Sequence, residues 1–277
     1  MTTGIEIERN EALLAWYRST ERDLPWRRDP DPYRVLVSEF MLQQTQASRV
    51  IPYYERFMAA FPTVEALAEA PLADVFSIWS GLGYNTRAKR LRDTARIVRV
   101  DGWPASIDDL QRLPGVGPYT ASAIASIAFG RRVPALDTNV RRVLSRWHGE
   151  LLDGRGLRLA AEADLDDNAG AWNQALMDLG ASVCRPRQPK CDSCPVENWC
   201  SGPEAYMASA PQARFEGSAR QLRGSIMRAA VKRPHTFDQL RRETGFPTDE
   251  IEMAIEDLTA EGLIARNDDT GEFRIAD

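Results

Sequence analysis

The sequence predicts a mainly α-helical protein that ends in a small winged-helix-like domain. Apolar residues recur at three- and four-residue spacing through Ala12–Tyr17, Val35–Val50, Val64–Ala70 and Leu91–Val98. Prolines 25, 30, 62, 71, 104 and 114, with Gly81, Gly83 and Gly102, punctuate these stretches, and no strand series precedes residue 210. The tail differs. Helical patterns at Ala219–Val231, Phe237–Glu243 and Asp249–Glu261 lead into LIARNDDTGEFRIA, two alternating segments around a turn-rich centre, which predicts a β-hairpin.

Each element has local support. The run from Val35 contains LVSEFMLQQTQ (Leu36 to Gln46), in which Glu39 stands among Val, Phe, Met and Leu. A carboxylate there is either on the solvent face of an amphipathic helix or buried, and burial favours its protonated form. Ser106-Ile-Asp-Asp109 resembles a capping box and starts a helix. Leu113-Pro-Gly-Val-Gly-Pro-Tyr-Thr120 opens the helix Ala121–Phe129, and the glycine pair allows a tight turn whose following amides suit a phosphate oxygen. Asp137 immediately precedes a helical pattern, an N-cap position that is compatible with facing a cavity. Pro203–Gly217 reads as a linker, and Thr236-Phe-Asp-Gln239 as a capping box.

Composition narrows the function classes. With 43% hydrophobic residues over 277, and no long apolar stretch, the chain is expected to be soluble and not membrane-bound. The start MTTGIEIERN lacks a secretory pattern, so a cytoplasmic protein is expected. The net charge of −5 is uneven: Gln221–Asp277 holds 8 basic against 12 acidic residues, leaving the remainder near neutral. Arginines cluster in Arg87-Ala-Lys-Arg-Leu-Arg92 and Arg141-Arg142, so a local phosphate-binding face is compatible with overall acidity.

All four cysteines fall in one segment, Cys184-x6-Cys191-x2-Cys194-x5-Cys200. Disulfides suit small secreted domains, so metal ligation is the better account. The spacing alone leaves a [4Fe–4S] cluster and zinc both open, with the cluster ahead. The intervening RPRQPK carries Arg185, Arg187 and Lys190 with no acid, suited to reaching a DNA phosphate.

Taken together, several ordered motifs resemble a known family. Leu24-Pro25-Trp26, Ser38-Glu39 with Met41-Leu42-Gln43-Gln44-Thr45-Gln46, Gly81-Leu-Gly-Tyr84, LPGVGPYTA, the Asp137 segment, Trp172-Asn-Gln-Ala-Leu-Met-Asp-Leu-Gly180 and the cysteines are similar to the helix–hairpin–helix DNA glycosylases with an iron–sulfur cluster. Within that superfamily the match is to the adenine DNA glycosylase (MutY) branch, over roughly residues 10 to 202. The resemblance implies a two-lobed helix–hairpin–helix glycosylase fold. An N-terminal helix (1–28) would pack with the iron–sulfur lobe, followed by a six-helix lobe (29–133), an iron–sulfur lobe (134–202), a linker (203–218) and the winged-helix-like domain (219–277).

The chemistry implied is hydrolysis of the N-glycosidic bond of adenine flipped out of a duplex, through an oxocarbenium-like state served by two carboxylates. Glu39 would protonate adenine N7, Asp137 would stay ionised to stabilise the sugar cation, and Asn139 would support Asp137. Tyr119 stands where bifunctional relatives carry a lysine, which implies a monofunctional enzyme. Arg22, Trp26 and Gln174 would line the base pocket, while Leu42, Gln44 and Tyr84 would wedge into the duplex. Gly115, Gly117, Arg185, Arg187 and Lys190 would meet the DNA backbone. Cys184, Cys191, Cys194 and Cys200 would ligate one [4Fe–4S] cluster. The implied partner is double-stranded DNA with an A·8-oxo-G or A·G mispair, bound by a monomer.

Two features depart from the family pattern. Asn85 follows Tyr84 where many relatives carry a second Tyr, and an acidic winged-helix-like tail replaces the usual β-rich domain that inspects 8-oxo-guanine. Two other readings compete: a thymine or uracil mismatch glycosylase of the same superfamily, and a non-enzymatic iron–sulfur DNA-binding regulator. LQQTQ favours adenine, and a regulator has no need of Glu39 and Asp137 in these contexts.

Overall fold

A computed structural model describes residues 4–206 and 214–276. The fold is mainly α. In chain order the helices are α1 (Gly4–Thr20), α2 (Pro32–Leu42), α3 (Ala47–Ala60), α4 (Val64–Glu69), α5 (Leu72–Trp79), α6 (Thr86–Asp101), α7 (Ile107–Gln111), α8 (Pro118–Ala123), α9 (Thr138–His148), α10 (Gly154–Asp164), α11 (Ala169–Ser182), α12 (Ala219–Lys232), α13 (Phe237–Thr244) and α14 (Thr248–Ala260). A hairpin of β1 (Ile264–Arg266) and β2 (Phe273–Ile275) follows. Part of the predicted linker, residues 207–213, lies outside the described residues.

The chain forms two compact units. One comprises Met1–Leu36, Ala105–Arg112 and Val116–Pro211; the other comprises Val37–Pro104, Leu113–Gly115 and Gln212–Asp277.

In the first unit, α1, α9, α10 and α11 enclose a core that includes Leu13, Val143, Leu144, Trp147, Trp172 and Leu179. The helix starts follow the predicted chemistry. Ser106 caps α7 by accepting from the Asp109 amide, and Asp137 caps α9 by accepting from the Val140 amide at 2.7 Å. The predicted helix Ala121–Phe129 is not uniform: α8 gives way to a wider π turn over Ile124–Ala128. There the Ser126 hydroxyl turns back onto the Ser122 carbonyl and accepts from Asn173 of α11. A buried polar group ties the ends together, with Asp164 accepting from His148 at 2.8 Å and pairing with Arg9, whose guanidinium lies over Trp147.

In the second unit, α2 buries Val37, Phe40 and Met41, and Phe57, Leu67, Trp79 and Leu91 are fully buried as well. The single helical run predicted over Val35–Val50 is broken. Residues 43–46 leave the helix because the buried Arg87 guanidinium donates to the carbonyls of Phe40, Met41 and Gln43, which end α2. At the hairpin glycines, Gly115 has φ +79° and packs against Phe40 and Arg90 so closely that any Cβ would collide with them. Tail helices α12–α14 and the hairpin share the buried Leu222, Ile226, Leu240, Ile251, Leu258 and Leu263. The strands pair antiparallel with Ile264 opposite Ile275, and His235 adds an isolated bridge to Phe273. Three helices and a hairpin thus match the predicted order. The tail is docked, because Glu261 accepts from Thr86 of α6 at 2.8 Å and from Arg223 of α12 at 2.7 Å.

A tight approach in the first unit is at Gly180 of α11. A Cβ there would stand 2.6 Å from Asn139 Cβ and 3.1 Å from Arg142 Nη2. Gly180→Ala is therefore expected to destabilise the fold by about 1–3 kcal/mol through overpacking, read as a lowered Tm in thermal denaturation. A melting curve identical to the parent's would mean that α9 and α11 can separate freely.

Candidate active-site carboxylates and cysteine site

Glu39 is 6% exposed. It sits on α2 between buried Ser38 and buried Phe40, so the solvent-face reading is excluded. Beyond it, Leu42 is half-buried and Gln44 exposed. Gln44 and Tyr84 have φ of 57° and 50°, a left-handed conformation that ordinary side chains avoid. Arg87 holds both segments in place. Besides the α2 carbonyls, it donates to Gly83 at 3.1 Å and lies over the rings of Trp79 and Tyr84. Burial lowers the Arg87 pKa to about 10.

In the first unit Asp137 uses both carboxylate oxygens. Oδ1 accepts from the Val140 amide and Oδ2 from Asn139 Nδ2, each at 2.7 Å. Asn139 Oδ1 accepts in turn from Arg142 Nη2 at 2.8 Å, and Arg142 also donates to the Gly180 carbonyl at 2.8 Å and the Cys184 carbonyl at 2.7 Å. A continuous run of hydrogen bonds therefore joins Asp137 to the first cysteine. Burial pushes the Asp137 carboxyl above the usual range, while its hydrogen bonds and the Arg142 charge oppose that rise.

The α11 motif is equally connected. Asn173 accepts from the Ala135 amide at 2.9 Å and donates to the Val133 carbonyl at 3.0 Å, fixing the approach to Asp137. Gln174 accepts from the Tyr17 hydroxyl at 3.2 Å, and burial pushes the Tyr17 pKa to about 12. Asp178 accepts from Arg22 Nε at 2.7 Å and from both Nη groups of Arg27. Burial would raise the Asp178 pKa, but these two arginines hold it below the ordinary value. Trp26 is buried in the short turn Pro25–Arg27. The Tyr119 hydroxyl reaches Met177 Sδ at 3.8 Å, and Gly117, the N-cap of α8, is exposed with open space where a Cβ would be.

The four cysteines line a single cavity of about 160 Å3. All are free thiols, and no three described His, Cys, Asp or Glu side chains converge closely enough to hold one ion. Four cysteines lining one chamber are a donor set that a [4Fe–4S] cluster takes. Burial and repulsion from neighbouring thiolates raise Cys194 to about 11. Stable thiolates there need a compensating cation. Arg146 Nη1 donates to Cys184 Sγ at 3.2 Å and to the Arg185 carbonyl at 2.8 Å, and Nε donates to the Pro203 carbonyl. Arg185, Arg187 and Lys190 are exposed on the loop, where Gln188 has φ 52°.

The arginine clusters need correction. Arg87, Arg92, Arg142 and Arg146 are buried, Arg141 pairs with Asp153, and Lys89 pairs with Asp93, so those clusters supply only Arg90 to an exposed face. Arg87, Arg142 and Arg146 are the important residues that sequence reasoning missed. A buried guanidinium has no signature that separates it from a surface one.

Comparison with known proteins gives the family. Residues 37–153 match the HhH-GPD superfamily of base excision DNA repair proteins. The chain is 41% identical over 281 residues to an adenine DNA glycosylase of Mycobacterium tuberculosis, covering 95% of this chain and 92% of that one. It is 46% identical over 208 residues to the human adenine DNA glycosylase, covering 68% of this chain and 38% of the human one. A solved thermostable thymine-DNA glycosylase superimposes with a TM-score of 0.67 at 31% identity, covering 72% of this chain and 97% of that one. The chain belongs to the HhH-GPD superfamily of DNA repair proteins and, within it, to the adenine DNA glycosylase family.

The raised Asp137 pKa has a definite sign in stability. An unfolded Asp ionises near ~3.9, whereas the folded carboxyl releases its proton later, so the folded state loses stability as pH rises between the two values. Asp137→Asn cannot ionise and retains an acceptor for the Val140 amide. The variant's stability relative to the parent is therefore expected to improve as pH rises above ~4 and to level off once folded Asp137 is ionised. Urea denaturation across pH checks this, and a difference independent of pH would contradict it.

Proposed function

We propose that this chain is a monofunctional, base-excision DNA glycosylase that releases adenine paired with 8-oxo-guanine or guanine. The observation that carries the reading is Glu39, a carboxyl buried in LVSEFMLQQTQ where a purely structural helix would place an apolar residue. Burial disfavours the charged form, so Glu39 is suited to hold a proton and deliver it to N7 of the departing adenine. Asp137, hydrogen-bonded on both oxygens, serves as the anion that stabilises the oxocarbenium-like sugar, and Asn139 positions it.

Trp26, Gln174 and Arg22 line the base pocket, with Arg22 held by Asp178. Leu42, Gln44 and Tyr84 enter the duplex, and the two left-handed backbones support that role, since such strain collects at functional sites. Gly115, Gly117 and the exposed Arg185, Arg187 and Lys190 meet phosphates. Tyr119 cannot form a Schiff base, so the sugar is left as an intact abasic site. Cys184, Cys191, Cys194 and Cys200 hold one [4Fe–4S] cluster, which when bound cross-links the loop that presents the basic residues. The thymine or uracil mismatch reading is less well supported, because the relatives matched over nearly the whole chain are adenine glycosylases. A non-enzymatic regulator is not favoured by that family either.

Alkali cleavage of duplexes carrying A·8-oxo-G, A·G, T·G and U·G tests the substrate. Strand breaks at adenine are expected, and breaks confined to T·G and U·G would reverse the assignment. Glu39→Gln keeps shape and hydrogen bonding but delivers no proton. Single-turnover adenine release is expected to fall at least ~10²–10⁴-fold while duplex affinity changes little. Equal release by variant and parent would remove Glu39 from the mechanism.

Protein purified anaerobically is expected to be brown, with about four irons and equivalent sulfide per chain. Colourless active protein carrying zinc would refute the cluster.

A further inference from the structure

One carboxylate joins the tail to the start of α6. Glu261, at the end of α14, accepts from the Thr86 hydroxyl at 2.8 Å and from Arg223 of α12 at 2.7 Å, both on Oε2. Thr86 is the first residue of α6 and lies 175 positions earlier in the chain. The turn after α14 runs close to the same helix, since a Cβ on Gly262 would stand 3.4 Å from Lys89 Cε. Main-chain bonds set that turn: the Glu261, Gly262 and Leu263 amides donate to the carbonyls of Asp257, Thr259 and Leu258. Half-buried Arg223 then fixes the Glu261 side chain.

The start of α6 has little support of its own. Asn85 stands at the N-cap position with helical backbone angles, φ −59° and ψ −24°, and its side chain makes no capping hydrogen bond. No acid occupies the first turn, where Arg87 and Lys89 stand instead. A capping side chain and a nearby negative charge are what ordinarily stabilise a helix start. Glu261 brings that charge from the tail.

Immediately before α6 comes Tyr84. It has φ 50°, in the left-handed region, and is 39% exposed, and its carbonyl accepts from the Arg87 amide at 2.9 Å. An aromatic residue in that region is strained and stays there only where its surroundings hold the chain. On one side Arg87 donates to the Gly83 carbonyl and lies over the Tyr84 ring. On the other, two residues past Tyr84, the fixed point is Thr86 with Glu261.

We infer that Glu261 is a positioning residue for Tyr84. By holding Thr86 it keeps the strained turn formed before DNA arrives, so the C-terminal domain acts on the reaction as a brace. The inference rests on the adenine-excision reading, in which Tyr84 enters the duplex. A preformed wedge has less ordering to do while the base is extruded. A segment that must find its conformation in each encounter extrudes the base more slowly, with the chemical groups unchanged.

Full-length protein tests this with two readouts. One is single-turnover adenine release from an A·8-oxo-G duplex. The other is emission from 2-aminopurine beside a non-hydrolysable 2′-fluoro-adenosine, which brightens as a wedge unstacks it. Thr86→Val is isosteric and removes only the hydroxyl, while Glu261→Ala removes the acceptor. Each is expected to slow both readouts about ten-fold, and the double variant no further, because the two break one link. Thr86→Ser retains the hydroxyl and is expected to restore the parental rates. In a Tyr84→Ala background, Glu261→Ala is expected to slow adenine release no further, an outcome that a merely structural contact would not give. Parental rates in Thr86→Val and Glu261→Ala overturn the proposal, as does equal slowing by Glu261→Ala with and without Tyr84. So does a double variant whose losses multiply. Brightening that depends on Glu261 in a protein that releases no adenine keeps the brace and removes the adenine reading. Parental brightening in both variants, with adenine released as by the parent, does the reverse.

Discussion

The interaction on which both units depend is the donation of buried arginine Nη groups to main-chain carbonyls. Arginine carries five N–H donors and does not lose its charge in a protein, so each unpaired donor buried away from water costs free energy. Here the acceptors are main-chain carbonyls that helices leave unpaired where they end. Arg87 takes the last carbonyls of α2 and that of Gly83, which simultaneously ends the helix and fixes two exposed segments. Arg142 takes the Gly180 and Cys184 carbonyls, and Arg146 those of Arg185, Pro186 and Pro203. Each replaces what would otherwise be solvent around an irregular chain. The loops that carry the proposed DNA contacts are thus held from within by charges that never reach the surface.

The two carboxyl groups show how environment separates roles that residue type does not. Glu39 is buried on α2 between Ser38 and Phe40, and burial by itself disfavours a charged carboxyl. Asp137 is also withdrawn from water, which pushes its carboxyl above the usual range, and its two hydrogen bonds and the Arg142 charge offset only part of that rise. Gly180 has a part in this difference, since only a residue without a side chain lets Asn139 and Arg142 come close enough to α11 to complete the network.

The helical class, the caps at Ser106, Asp137 and Thr236, and the three-helix-plus-hairpin tail were legible because they depend on local periodicity and on side chains bonding their own turns. The grouping of the cysteines was legible in their spacing, while the cavity that all four line emerged only in the fold. Three features were not legible. The break after Leu42 is enforced by Arg87, more than forty residues away, and the π turn at Ile124–Ala128 accompanies a polar contact from α11. Arg87 and Arg142 looked like surface charge because burial of a cation depends on partners that only the tertiary fold supplies. In each case a long-range hydrogen bond overrides the local pattern.

The acidity of the tail, which at first argues against any role on DNA, has a structural resolution. Asp257 and Glu261 at the end of α14 both face Arg223 of α12 at the surface, and Glu261 also ties the domain to α6 through Thr86. A carboxylate paired with an arginine repels a phosphate less than a free one does, so the summed charge of the domain overstates its repulsion near Arg223. Arg220 and Arg228 lie four residues either side of Gly224 on one face of α12, with exposed Phe215 just before the helix. The sign of a domain's net charge and the sign of its binding surface can therefore differ without contradiction.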